Sequence, residues 1–171
     1  LTREEFPVFM ERRAFKAVNV TIPYKKDVIP YLDELDENAA AIGAVNTIVN
    51  KNGRLTGHNT DFSGFAYMMK EAGISACGKK VLVLGTGGAS AAVLAVLKKQ
   101  GAAETVSVSR TGKGGAVTYE ACAALHKDAA LIVNTTPVGM YPAVNASPLD
   151  LAPFSGCEAV LDVIYNPGET R

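Results

Sequence analysis

The ten residues Val81-Leu-Val-Leu-Gly-Thr-Gly-Gly-Ala-Ser90 constrain this chain more than any other stretch. Four apolar residues run without alternation, as in a strand buried on both faces. Glycines at 85, 87 and 88 follow at once, and an alanine- and leucine-rich run continues to Gln100. Gly85 suits a tight turn, while Gly87 and Gly88 carry no Cβ to hold a ligand away from the backbone. A helix opening here presents unpaired N–H groups and the positive end of its dipole to an anion. Ser90 takes the place of the third glycine of G-x-G-x-x-G, and it is small enough for close helix–strand packing.

The surroundings supply the context such a turn needs. After the strand Val81–Leu84 come a helix Ala89–Gln100 stopped by Gly101, a strand Val106–Ser109, a helix Tyr119–Leu125, a strand Leu131–Asn134 and a strand Val160–Asp162. Strands alternating with helices predict a parallel sheet covered on both faces, a Rossmann-like doubly wound α/β domain that binds a dinucleotide. The second strand ends in Ser109-Arg110-Thr111, with Lys113 close behind and no acid among them. An acid there would accept the ribose hydroxyls of NAD. A guanidinium pairs instead with a 2′-phosphate and stacks on adenine, so NADP is the expected cofactor.

The first half has a different texture, with a seam near Gly73–Lys80, which predicts domains at residues 1–75 and 76–171. A helix is expected over Thr2–Arg13, a strand over Ala17–Thr21, and a helix over Lys26–Leu35, where Val28, Ile29, Leu32 and Leu35 have helical spacing. A short helix follows at Glu37–Ile42. Val45–Val49 and Arg54–Gly57 flank Asn52-Gly53, a hairpin signal because both residues tolerate positive φ. Asp61 is read as the cap of the next helix, whose apolar face holds Phe62, Phe65, Met68 and Met69. This half mixes helices with short strands.

Composition excludes several classes. Lys plus Arg and Asp plus Glu both number 17, so no charge excess points to nucleic acid or an anionic membrane. An apolar fraction of 48% argues for a packed core. No run of 18 apolar residues occurs. Cys77, Cys122 and Cys157 form no C-x-x-C pair and only His58 and His126 could join them, so no metal site is expected. Free thiols fit a reducing cytoplasm. The chain opens at Leu1 without Met and stops at Arg171, which suggests a piece of a longer protein.

Three segments place polar groups at the ends of apolar elements: Asn19-Val-Thr-Ile-Pro-Tyr-Lys25, Gly43-Ala-Val-Asn-Thr47 and Asn59-Thr-Asp61. Taken alone they leave two readings open. Lys25 beside Lys26 is either a solvated surface charge or a site residue, Asp61 a helix cap or a site residue, and Asn46 a strand-end residue or a ligand contact.

These segments, the Gly85 turn, Ser109-Arg110-Thr111, Asn134-Thr-Thr-Pro-Val-Gly-Met140 and Leu161-Asp-Val-Ile-Tyr-Asn-Pro167 resemble shikimate dehydrogenase in order and spacing over nearly the whole chain. The resemblance implies a two-domain α/β enzyme of aromatic amino-acid biosynthesis, one domain for shikimate and one for NADP, with the reaction in the cleft between them. It makes Lys25 the catalytic lysine with Asp61 beside it, and Thr21, Asn46, Asp61 and Tyr165 contacts to the shikimate hydroxyls. Gly85, Thr86, Gly87, Gly88 and Ala89 would hold the pyrophosphate. Ser109 to Gly114, with Arg110, Thr111 and Lys113, would hold the adenosine phosphate. Val163 would lie near the nicotinamide, and Glu37 aligns with a residue near the cofactor. His58 stands where Asp is common, and Ser109 where Asn is common. The serine pair that grips the carboxylate would precede Leu1, and a glycine and glutamine of the site would follow Arg171. Alternatives are a quinate/shikimate dehydrogenase using NAD or NADP, where Arg110 argues against an NAD preference, and a non-catalytic nucleotide-binding module, against which Lys25 and Asp61 argue. Whether the protein is a monomer or a homodimer is not legible in the sequence.

Overall fold

A computed structural model of the chain describes residues 1–21 and 23–170; Ile22, within the predicted Asn19–Lys25 segment, lies outside the described residues. The protein is α/β and divides into two compact units, Leu1–Gly64 and Phe65–Arg171. The division falls inside a helix and upstream of the texture seam at Gly73–Lys80.

The first unit is built on a mixed sheet. Helix α1 (Glu5–Arg12) precedes β1 (Ala17–Asn19), followed by β2 (Glu34–Leu35), α2 (Glu37–Ile42), β3 (Thr47–Lys51), β4 (Arg54–His58) and the start of α3 (Thr60–Glu71). The strand order is β1-β3-β4-β2. β3 is antiparallel to β1 and β4, and β2 is parallel to β4. Asn52 (φ 54°) and Gly53 (φ 87°) close the β3–β4 hairpin in the left-handed region, as their side chains predict. The core gathers Phe6, Met10, Val28, Ala39, Val45, Ile48 and Leu55.

Residues Lys26–Leu35 do not form the predicted helix. They fold as turns, a 3₁₀ turn at Ile29–Tyr31, and then β2. Pro30 is the cause: it has no N–H to donate, and its ring would collide with the carbonyl four residues back. Leu32 turns extended, and the segment joins the sheet edge, with Asp33 N–H donating to Leu55 O at 3.0 Å and Asp36 N–H to Gly57 O at 2.9 Å. The apolar residues still reach one core, because Val28 is buried and Ile29, Leu32 and Leu35 pack against the same cluster.

The second unit holds β5 (Lys80–Leu84), α4 (Gly88–Lys99), β6 (Glu104–Val108), α5 (Tyr119–Leu125), β7 (Leu131–Asn134) and β8 (Ala159–Asp162). Its sheet is fully parallel in the order β6-β5-β7-β8. β5 and β7 are buried along their apolar length, as continuous apolar runs require. Leu82 and Leu84 share a cluster with Val108, Cys122 of α5 and Ile132, while α4 packs along β5 and buries Ala92, Val93, Val96 and Leu97. The connection from β7 to β8 carries no helix among the described residues. Pro137, Pro142, Pro148 and Pro153 interrupt it, and each removes a backbone donor. No helix among the described residues is long and apolar enough to cross a membrane.

Candidate functional site

From β5 the chain moves one way across the sheet to β6 and then returns to place β7 on β5's other side. Loops leaving the carboxyl ends of β5 and β7 therefore diverge to opposite sides of a crevice, the place where open parallel sheets bind ligands. The second unit has a cavity of about 610 Å³ here. Gly85, Thr86 and Gly87 of the glycine turn line it on one side, Ser109, Arg110 and Thr111 on another, and Thr135 to Val138 on a third. The predicted nucleotide residues at 85–87 and 109–111 are thus brought together. Gly88 and Ala89 form the first turn of α4 behind them, and Lys113 is exposed in the loop that follows Arg110.

Local chemistry explains this shape. Gly85 has φ 103°, and a Cβ on it would meet Thr135 Oγ1 at 2.9 Å. Thr135 is tied down in turn, its Oγ1 donating to Leu84 O at 2.6 Å. Gly87 is the N-cap residue of α4; no side chain caps the helix and no acid occupies its first turn. A Cβ built on Gly87 meets nothing within 4 Å. The opening N–H groups of a twelve-residue helix are therefore left for an anion, while Lys98 and Lys99 complement the other end of its dipole. Ser109 Oγ accepts from Gly112 N–H at 3.1 Å, which folds the Arg110 loop back and leaves the hydroxyl proton free to donate. These features fit a dinucleotide whose phosphates meet backbone and whose adenosine end meets Arg110.

The loop after β7 is part of the cavity that sequence reading left without a role. Asn134 is buried; its Oδ1 accepts from Thr136 N–H at 2.9 Å and from Thr136 Oγ1 at 2.7 Å, and its Nδ2 donates to Asp162 Oδ2 at 3.2 Å. Asp162 also accepts from Ile164 N–H and Thr170 Oγ1, so one carboxylate organises the turn after β8 that carries Val163 and Tyr165. Tyr165 is 91% exposed, and Val163 is half-buried, its N–H donating to Asn134 O. The signal for the β7 loop was topological: a strand that pairs with β5 in parallel must end beside the glycine turn.

In the first unit, Lys25, Asn46 and Asp61 come together. Lys25 Nζ lies 2.7 Å from Asp61 Oδ2, and Asn46 Nδ2 donates to Asp61 Oδ1 at 2.9 Å. The Lys25 side chain is only 21% exposed, whereas Lys26 is exposed. A solvated-surface reading therefore suits Lys26 and not Lys25. Backbone bonds hold the segment on both sides: Val20 N–H donates to Asn46 O and Val45 N–H to Lys25 O, each at 2.8 Å. Phe6 of α1 stacks on Tyr24, with centroids 4.4 Å apart, and fixes the residue next to Lys25.

Asp61 is not the helix cap. α3 starts at Thr60, and Asn59 caps it: Asn59 Oδ1 accepts from Asp61 N–H at 3.1 Å and Phe62 N–H at 3.4 Å. Asn59 Nδ2 donates to Ala44 O at 2.9 Å. Asp61 is thereby released to take Lys25 and Asn46, and its carboxylate sits in the first turn, where the helix dipole favours it. Asn46 Oδ1 accepts from Thr60 N–H at 2.9 Å, so the same amide anchors the helix start and the carboxylate. His58 Nδ1 lies 2.8 Å from Asp36, whose other oxygen caps α2 through Ala39 N–H. Glu37 opens α2 and is exposed. Thr21 is exposed in the turn closed by Tyr24 N–H to Thr21 O, and its side chain has no hydrogen bond among the described residues.

The chain matches the family described as the shikimate dehydrogenase substrate binding domain over residues 2–48. It is 41% identical to a shikimate dehydrogenase (NADP(+)) of Clostridium beijerinckii, over 91% of this chain and 60% of that protein. The structure of shikimate 5-dehydrogenase from Listeria monocytogenes, in complex with shikimate and NAD, is 30% identical with a TM-score of 0.81, covering 99% of this chain and 68% of that one. The enzyme from Thermus thermophilus, in complex with NADP(H) and shikimate, is 36% identical with a TM-score of 0.80, covering 98% and 66%. The chain spans about 60% of the length of the curated relatives it matches.

Proposed function

The chain belongs to the shikimate dehydrogenase family, and we propose that its protein reversibly reduces 3-dehydroshikimate to shikimate with NADPH. In this reading residues 1–75 hold the ring acid and residues 76–171 the dinucleotide. The observation that carries it is the Lys25–Asp61–Asn46 constellation, an ammonium half-shielded from water against a carboxylate that is itself held by a buried amide.

The dinucleotide, when bound, supplies the hydride. Thr86, Gly87, Gly88 and Ala89 would hold its pyrophosphate through backbone N–H groups, with Gly85, whose own N–H donates to Val108 O at 2.8 Å, shaping the turn beneath it, and Ser109, Arg110, Thr111 and Lys113 would hold its adenosine phosphate. The family resemblance further assigns Val163 and Glu37 to the cofactor. Negative charge develops on the ring oxygen during reduction. The Lys25 ammonium stabilises that charge and delivers the proton. Asp61 orients Lys25 and accepts from a ring hydroxyl, and the family resemblance assigns Thr21, Asn46 and Tyr165 to the other hydroxyls. Three free thiols suit a reducing cytoplasm; burial pushes the Cys122 and Cys157 thiols up, which keeps them protonated and inert.

Steady-state kinetics with shikimate and NADP test the reading. Lys25→Ala should lower kcat by roughly a hundredfold or more with little change in KM, because the lost interaction is made in the transition state. Lys26→Ala should be nearly neutral. Equal and small effects of the two substitutions would overturn the assignment.

A further inference from the structure

Tyr119 is a residue of the nucleotide cavity that the glycine and arginine motifs do not predict. It is the first residue of α5, placed there by Thr118, whose hydroxyl caps that helix by accepting from Ala121 N–H at 3.2 Å. The ring body is half-buried and packs against the cluster that contains Leu84, Val108 and Cys122. The same side chain lines the cavity together with Ser109, Arg110 and Thr111. Its hydroxyl has no hydrogen-bond partner among the described residues and is not sealed from solvent. A phenol anchored in a core by its ring, with an unused O–H at a cavity wall, is a donor held ready for a ligand atom.

We propose that the Tyr119 hydroxyl donates a hydrogen bond to the 2′-phosphate of the bound dinucleotide, as a second reader of that group beside Arg110. The inference rests on the NADP reading and adds a residue to it. Two further observations agree. Burial raises the Tyr119 phenol above its ordinary range, and the nearby Arg110 charge only partly offsets this, so the proton to be donated stays in place at neutral pH. The two side chains also differ in kind: Arg110 is exposed and supplies charge, whereas Tyr119 is fixed by packing and supplies direction. An exposed guanidinium alone would tolerate a displaced phosphate; a phenol whose ring is packed into the core on the same wall would not.

The test compares two probes that differ by one group, adenosine 2′,5′-bisphosphate and adenosine 5′-monophosphate, by calorimetric titration of the protein and of Tyr119→Phe. The substitution keeps the ring in its core contacts, and an unchanged melting temperature checks that. Loss of a hydrogen bond to a charged group should weaken the bisphosphate about tenfold and leave the monophosphate unchanged. An unchanged bisphosphate affinity, or equal loss for both probes, would overturn the proposal. If the unsubstituted protein binds both probes equally, the NADP reading falls with it, an outcome distinct from a protein that prefers the bisphosphate and ignores Tyr119→Phe. A double substitution with Arg110→Ala supplies an independent readout. The two losses should couple for the bisphosphate only, and strict additivity would count against a shared phosphate.

Discussion

Gly85→Ala should destabilise the second unit sharply, whereas Gly87→Ala, two residues along the same turn, should not. At Gly85 two costs combine. Its φ of 103° lies where an L side chain is strained, worth about 1–2 kcal/mol. A new Cβ would meet Thr135 Oγ1 at 2.9 Å, Thr136 Cγ2 at 3.1 Å and the Thr135 carbonyl carbon at 3.3 Å. Thr135 cannot yield freely, since its backbone N–H and its hydroxyl both donate to Leu84 O, so overpacking adds about 1–3 kcal/mol. The sum, about 2–5 kcal/mol, is a large part of the stability of an ordinary domain. For a unit of about a hundred residues each kcal/mol moves the midpoint by about 4–8 °C, so Gly85→Ala should lower it by at least about 8 °C. At Gly87 the φ is −85° and the added methyl meets open space, leaving only an N-cap preference of about 1 kcal/mol or less. That methyl would stand on the cavity wall, so the expected loss at Gly87 is in dinucleotide affinity. Thermal melts by circular dichroism, paired with NADP titration, separate the two. Similar melting of both variants, or a Gly87→Ala variant that binds NADP normally, would refute this account of the turn.

Removal of Arg110 by Arg110→Ala should cost about 1.5–3 kcal/mol of NADPH affinity and erase most of the preference over NADH, measured by fluorescence titration; an intact preference would place the phosphate elsewhere. Asn59→Ala removes the α3 cap and strands the buried Ala44 carbonyl, so chemical denaturation should show a loss of about 2–4 kcal/mol. The Leu55 N–H at 2.7 Å, with Arg13 beside it, holds the Asp33 carboxyl below the usual carboxylate range. A lowered folded pKa means stability that is present above the unfolded value and lost as pH falls through the folded one. Asp33→Asn should therefore flatten the acid limb of the stability curve below about pH 4 and leave its slope near neutrality unchanged.

What could be read from the residues alone was local. The apolar run before Gly85, the helix ending at Gly101, the Asn52-Gly53 turn and α2 all follow from backbone preferences and periodicity within a few positions. The proposed nucleotide loop has the same local basis, since an arginine without an acid at the end of a second strand favours a 2′-phosphate over bare ribose hydroxyls.

Other features depended on residues far apart in the chain. Among Asn59, Thr60 and Asp61, any could have capped α3. Asn59 does so because its amide also reaches Ala44 O, and Asp61 is left to pair with Lys25 and Asn46, which arrive from elsewhere. Residues 26–35 carried a helical spacing of apolar groups, but Pro30 and pairing with β4 drew them to a sheet edge that buries the same residues. The β7 loop and Tyr119 entered the cavity through strand order and α5 packing. Turn and cap signals act through neighbouring backbone, so they are written in short stretches of sequence. The partner of a lysine, or of a phenol, is chosen by which chains the sheet brings to one place, and only the tertiary structure decides that.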